Sequence, residues 1–199
     1  KEVINIKYSQ IPDEKTIVKC ADGSIYEADH VIITVSLGVL KAQYKNLFSP
    51  ALSDKKISVI ENYAYGTVGK IFLEFEEIFW EEHEAFGFLW LEEELNELNK
   101  SSDRKWLAGI AGFYNFDSFP NSLEGFVSGE HIEIFEEISD EKLINDCMWL
   151  FEKFLNRNLT KPRAMKRTNW KSNRHFQGSY SNLNMGMEKL NFKPHDLAE

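Results

Sequence analysis

Apolar and polar positions alternate with period two over several short stretches of this chain, and with helical spacing over one longer stretch. Val3, Ile4, Ile6 and Tyr8 predict a strand within residues 1–8. Thr16–Cys20 and Ser24–Ala28 flank Ala21-Asp22-Gly23, turn chemistry that predicts a β-hairpin. Val31–Val35 is continuously apolar, the pattern of a strand covered on both faces. Leu52, Ile57, Val59, Ile60 and Tyr63 predict a short helix within residues 50–64. Over Gly66–Phe75, alternation places Val68, Lys70, Phe72 and Glu74 on one face of a strand. Gly69, Ile71, Leu73 and Phe75 fall on the other.

Beyond Glu81–Glu84, Phe86–Trp90 reads as a strand, and the charged stretch Glu92–Ser102 as a surface loop or short exposed helix. Trp106–Tyr114 and Gly125–Ser128 predict strands separated by a loop containing Pro120. The clearest helix spans residues 139–156. Ser139 is its N-cap, Asp140 and Glu141 suit its first turn, and Leu143, Cys147, Leu150, Phe151 and Phe154 recur on one face. That stripe reads as core rather than a cofactor box. Lys166–Trp170 predicts another strand, and Gly186–Glu199 reads as loop.

Composition narrows the class. A hydrophobic content of 43% and an aromatic content of 14%, with 15 Phe, predict a packed globular chain rather than a disordered one. At 199 residues it forms one large domain or parts of two. A net charge of −9 disfavours nonspecific binding to nucleic acid or to an anionic membrane, and suits a cationic partner. No apolar run reaches membrane-spanning length.

Cys20 and Cys147 fall in a predicted strand and a predicted helix, without a Cys-x-x-Cys or Cys/His cluster. Neither a disulfide framework nor a zinc site is indicated, and a reducing compartment is the default. His30, His83, His131, His175 and His195 are scattered without metal-ligand spacing, so no metal is expected. Asn99-Lys100-Ser101 and Asn158-Leu159-Thr160 match the glycosylation pattern, which arises often by chance. No Gly-x-Ser-x-Gly elbow is present. The acidic runs Glu74-x-Glu76-Glu77 and Glu92–Glu94 read as solvated faces.

Lys70 stands out, as the lone lysine in an apolar and aromatic strand. On those residues alone it reads as a surface lysine paired with Glu74; a lysine in an apolar site can also serve chemistry. The passage Gly66-Thr67-Val68-Gly69-Lys70-Ile71-Phe72-Leu73-Glu74-Phe75, with Phe79-Trp80 after it, resembles the flavin-dependent amine oxidases. Within them the spermine and polyamine oxidases are most similar. Three further passages resemble the same family in the same order. They are His30–Lys41; Phe48-Ser49-Pro50-Ala51-Leu52 with Lys55; and Trp170 followed by Phe176-Gln177-Gly178-Ser179-Tyr180-Ser181. In the last, Gln177 replaces the family's arginine. The resemblance spans nearly the whole chain.

The resemblance implies an α+β chain: a mixed β-sheet substrate-binding domain with helices, flanked by strands of a FAD-binding, glutathione-reductase-like domain. Residues 1–44 and 166–199 would belong to the FAD-binding domain and residues 45–165 to the substrate domain. It implies FAD as cofactor, a polyamine and dioxygen as reactants, and no nucleic-acid or membrane partner. Cytoplasm is the expected location, with the peroxisome as alternative. Lys70 would be catalytic, reaching a water held against the flavin. Val3 would contact the adenine through its backbone, Trp170 would pack beside the flavin, and Tyr180 would form one wall of a substrate cage. None of the eleven glycines forms a Gly-x-Gly, so the pyrophosphate-binding turn is expected upstream and the chain is expected to be an internal fragment. Two rival readings are a histone lysine demethylase or monoamine oxidase relative, and a non-catalytic scaffold of the same fold.

Overall fold

The computed structural model describes residues 1–9, 11, 13–80, 85–100, 103–115, 118–156 and 158–198. His83 with the rest of Glu81–Glu84, and Ser101 of the first glycosylation match, lie outside these. The chain forms two compact units. Lys1–Gly66 with Arg174–Glu199 make the first, and Thr67–Asn173 the second. Residues 45–66, expected with the middle segment, sit in the first unit.

The first unit opens with β1 (Val3–Lys7), β2 (Thr16–Cys20) and β3 (Ile25–Ala28). The hairpin at Asp22-Gly23 forms as its turn residues predict, with Gly23 at φ 82° and the Asp22 carboxylate accepting from the Ser24 N–H at 3.0 Å. Val31–Val35 forms no strand. Ile32 is 87% exposed, because no described strand lies beside this run to satisfy its backbone and cover its side chains. A helix follows, α1 (Leu37–Leu47), whose cap Ser36 accepts from the Val39 N–H. A short strand, β4 (Phe48–Ser49), follows and pairs parallel with β1, giving the sheet order β3-β2-β1-β4. Helix α2 (Asp54–Asn62), capped by Ser53, packs on α1 and leads to β5 (Ala64–Gly66).

In the second unit, β6 (Val68–Glu74) carries the predicted alternation. Gly69, Ile71 and Leu73 are buried, and Val68, Lys70, Phe72 and Glu74 are half-buried. The strand expected at 86–90 is confined to β7 (Ala85–Gly87), and α3 (Glu92–Lys100) is helical with Leu98 buried. The strand expected from Trp106 begins only at β8 (Ile110–Asn115). A 3₁₀ turn over Lys105–Gly109 precedes it, tucking Trp106 and Leu107 into the core. β9 (Ser122–Ser128) starts three residues before the expected one. α4 (Ile132–Glu137), which sequence reading missed, precedes the predicted helix α5 (Asp140–Leu155); β10 (Ala164–Arg167) completes the sheet.

The order is β10-β6-β9-β8-β7, and every pairing is antiparallel. The mixed sheet expected for the substrate domain is therefore corrected: the parallel pair is β1/β4, in the first unit. Parallel neighbours need a crossover connection, whereas β8 and β9 are joined by a short loop. α4 and α5 cover one face of this sheet, around Ile71, Leu73, Phe113, Phe135, Leu150 and Phe151. Close packing there explains Gly69, where a Cβ would meet Phe135 at 2.5 Å. The opposite face stays open.

The remaining strand, β11 (Tyr180–Asn182), pairs antiparallel with β5 inside the first unit. α6 (Met185–Lys189), capped by Asn184, and a 3₁₀ turn over Pro194–Leu197 occupy the stretch expected to be loop. Among the described residues, no helix is long and apolar enough to cross a membrane.

Candidate active site

Lys70 sits mid-strand on the open face of the five-stranded sheet. Its backbone is clamped by Thr168, just past the end of β10. The Lys70 N–H donates to Thr168 Oγ1 at 2.9 Å, and the Thr168 N–H donates to the Lys70 carbonyl at 3.0 Å. The ammonium does not pair with Glu74, which binds Arg163 instead. It donates to Glu124 Oε1 at 2.6 Å and lies 4.8 Å from the centroid of the Phe126 ring. The register accounts for this. Phe126 stands opposite Lys70 and Glu124 opposite Phe72, so both share the lysine's face of the sheet. Tyr114 packs edge-on against Phe126 at 5.6 Å.

Trp170 is half-buried and follows β10 in the same unit. Its turn is held from α4. Glu136 accepts the Lys171 N–H on Oε1 at 2.8 Å and the Ser172 N–H on Oε2 at 2.7 Å.

Val3 and Tyr180 belong to the first unit. Val3 lines a cavity of about 310 Å³ with Ile6, Val31, Ile33, Val35 and Arg174 among its other walls. Tyr180 stands on β11 opposite Gly66, which has no side chain to cover it, and is 60% exposed. The preceding turn is tight. Gln177 adopts φ 53° and Gly178 φ 139°, and the Phe176 carbonyl accepts from the hydroxyls of Ser36 and Tyr65. The Gln177 amide donates to the Arg174 carbonyl at 3.3 Å, so this side chain steadies its own turn. A Cβ on Gly38 would lie 2.5 Å from the Phe176 oxygen, which lets α1 start directly against the turn.

Glu124, Phe126, Thr168 and Glu136 are the site residues that sequence reading missed. The signal for the first two was present: Ser122, Glu124, Phe126 and Ser128 alternate with Leu123, Gly125 and Val127. Of the acidic runs, Glu76, Glu77, Glu92 and Glu93 are exposed, and Glu74 pairs with Arg163. Glu94, in the first turn of α3, accepts from Lys153 at 2.6 Å, and that partner holds its carboxyl below the usual range.

Residues 1–198 match the family model of flavin containing amine oxidoreductases. The chain belongs to this family, whose cofactor is FAD. It is 35% identical over 177 residues to a peroxisomal N(1)-acetyl-spermine/spermidine oxidase of Bos taurus. That alignment covers 85% of this chain and 34% of the bovine protein. The Homo sapiens protein of the same name is 34% identical over 178 residues, again covering 85% and 34%. Among solved structures, wild-type putrescine oxidase bound to putrescine superimposes with a TM-score of 0.66 at 19% identity, covering 94% of this chain and 38% of that one. The chain thus spans about a third of the length of the curated relatives it matches.

Proposed function

We propose that the full-length protein is a FAD-dependent oxidase of spermine or a related polyamine. The observation that carries this reading is Lys70, an ammonium held mid-strand by Glu124 and the Phe126 ring in a chain of this family. In this reading residues 45–165 belong to the substrate domain and residues 1–44 and 166–199 to the flavin domain, a functional division that differs from the compact units at residues 45–66 and 166–173. The cytoplasm or the peroxisome is its compartment.

The residues present suit the cofactor in part. The cavity beside Val3 is walled by apolar side chains that include Ile6, Val18, Val31 and Val39, with charged groups such as Glu2 and Arg174 among them, an environment suited to a flat base that carries polar edges. Val3 would hold the adenine end and Trp170 would pack beside the ring system. FAD, when bound, supplies the two-electron oxidation of the C–N bond, with dioxygen as final acceptor and hydrogen peroxide as product. The chain's own residues orient and charge the site. Lys70 holds a positive charge where negative charge develops. Tyr180 offers an uncovered ring face to a cationic amine. The overall acidity favours the approach of polycations.

A peroxide-release assay on the full-length protein tests this. Spermine and its acetylated relatives are expected to turn over much faster than benzylamine or a methylated histone peptide, with kcat/KM falling as salt rises. Preference for benzylamine or for the histone peptide would move the protein to another branch of the family. Bound flavin without turnover of any amine would support a scaffold.

A further inference from the structure

We propose that Glu124 is the positioning residue for Lys70, pinning its ammonium at one point on the open sheet face. This rests on the reading of Lys70 given above. Lysine is a point charge on a flexible stem of four carbons, and strand geometry alone fixes only where that stem begins. Three features fix where it ends. The Glu124 carboxylate accepts from Nζ at 2.6 Å. The Phe126 ring lies beneath the ammonium at 4.8 Å, and Tyr114 packs edge-on against that ring. The Glu124 side chain is only 12% exposed against 34% for Lys70, so water competes weakly for the carboxylate. Glu124 and Phe126 lie two residues apart on one strand, so the anion and the ring form a single rigid seat.

The seat explains why the nearer acid in sequence, Glu74, is not the partner. Glu74 lies four residues along the same strand and is taken by Arg163 across the edge of the sheet. Glu124 lies diagonally across a ladder, within the reach of a lysine stem.

Two readouts on the full-length, FAD-loaded protein test the proposal. The first is acylation of lysines by acetic anhydride, followed by mass spectrometry, with exposed Lys19 on β2 as internal reference. In Glu124→Ala, Lys70 is expected to label several-fold faster relative to Lys19, and Glu124→Gln, which keeps shape and an acceptor, should fall between it and the parent. Unchanged labelling of Lys70 in both variants would overturn the proposal. The second is kinetic. Glu124→Ala should lower kcat about tenfold with KM near the parent value, the size expected for losing a hydrogen bond to a charged group. The same change on a Lys70→Met background should have no further effect. Fully additive losses would also overturn the proposal. If Lys70→Met keeps the parent's rates while labelling still rises in Glu124→Ala, the role assigned to Lys70 fails and its seating by Glu124 stands.

Discussion

Lys70 and Thr168 exchange a reciprocal pair of hydrogen bonds, one to the Thr168 hydroxyl at 2.9 Å and one to the Lys70 carbonyl at 3.0 Å. This clamp joins β6 to the end of β10 at the residue that carries the proposed chemistry. Replacing the hydroxyl in Thr168→Val leaves a half-buried N–H without its acceptor, while Thr168→Ser keeps it. Thr168→Val is expected to destabilise the protein by about 1 kcal/mol, toward the lower end for an unsatisfied donor because the site is partly open. Denaturant unfolding of the two variants measures it, and equal stability of the two would remove the clamp's importance.

Asp146 is a buried carboxylate on α5. It is held by Trp106 Nε1 at 2.8 Å, Arg104 Nε at 3.2 Å and Lys142 Nζ at 2.9 Å. Removing it leaves the buried Trp106 indole N–H without its acceptor, while Lys142 keeps Asp103 at 2.8 Å and Arg104 stays over the Trp149 ring. Asp146→Ala is expected to cost about 1–3 kcal/mol, the range for leaving a buried donor unsatisfied. A melting temperature within error of the parent's would show that the indole finds another acceptor.

Cys147 lies at the centre of the helix stripe, and burial pushes its thiol well up from the ordinary range. The unfolded thiol loses its proton near about pH 8.5, whereas the folded one keeps it. This residue's contribution is therefore full below that pH and falls as pH rises above it, because the folded state then binds more protons than the unfolded one. Stability measured against pH should drop more steeply above pH 8.5 in the parent than in Cys147→Val. Parallel curves would contradict the assignment.

Glu136 ties down the two amides that follow Trp170. In Glu136→Ala, hydrogen exchange at Lys171 and Ser172 should accelerate strongly, while Glu137→Ala leaves both amides protected. Equal effects of the two substitutions would mean that the turn is held by other contacts.

The sequence was most legible where one residue's neighbours along the chain decide its environment. The alternation in β6, the Asp22-Gly23 turn and the Ser139-capped helix α5 are all local patterns, and all three form. Val31–Val35 failed as a strand because a doubly covered strand needs ladder partners, and no described residue provides them. α1 was hidden behind the same expectation, although Ser36 and the spacing of Leu37, Leu40, Tyr44 and Leu47 carry a helix signal. Lys70 was legible as an oddity of its own strand. Its partner was not, since Glu124 lies 54 positions away and meets it only through strand register.

Stopped-flow kinetics of Lys70→Met in the full-length protein tests the account most directly. Loss of one preorganised charge is expected to slow flavin reduction or its reoxidation about a hundredfold to a thousandfold, with FAD still bound at parent stoichiometry. Parent rates in both half-reactions, with FAD retained, would contradict the account and leave Lys70 as a structural ion pair.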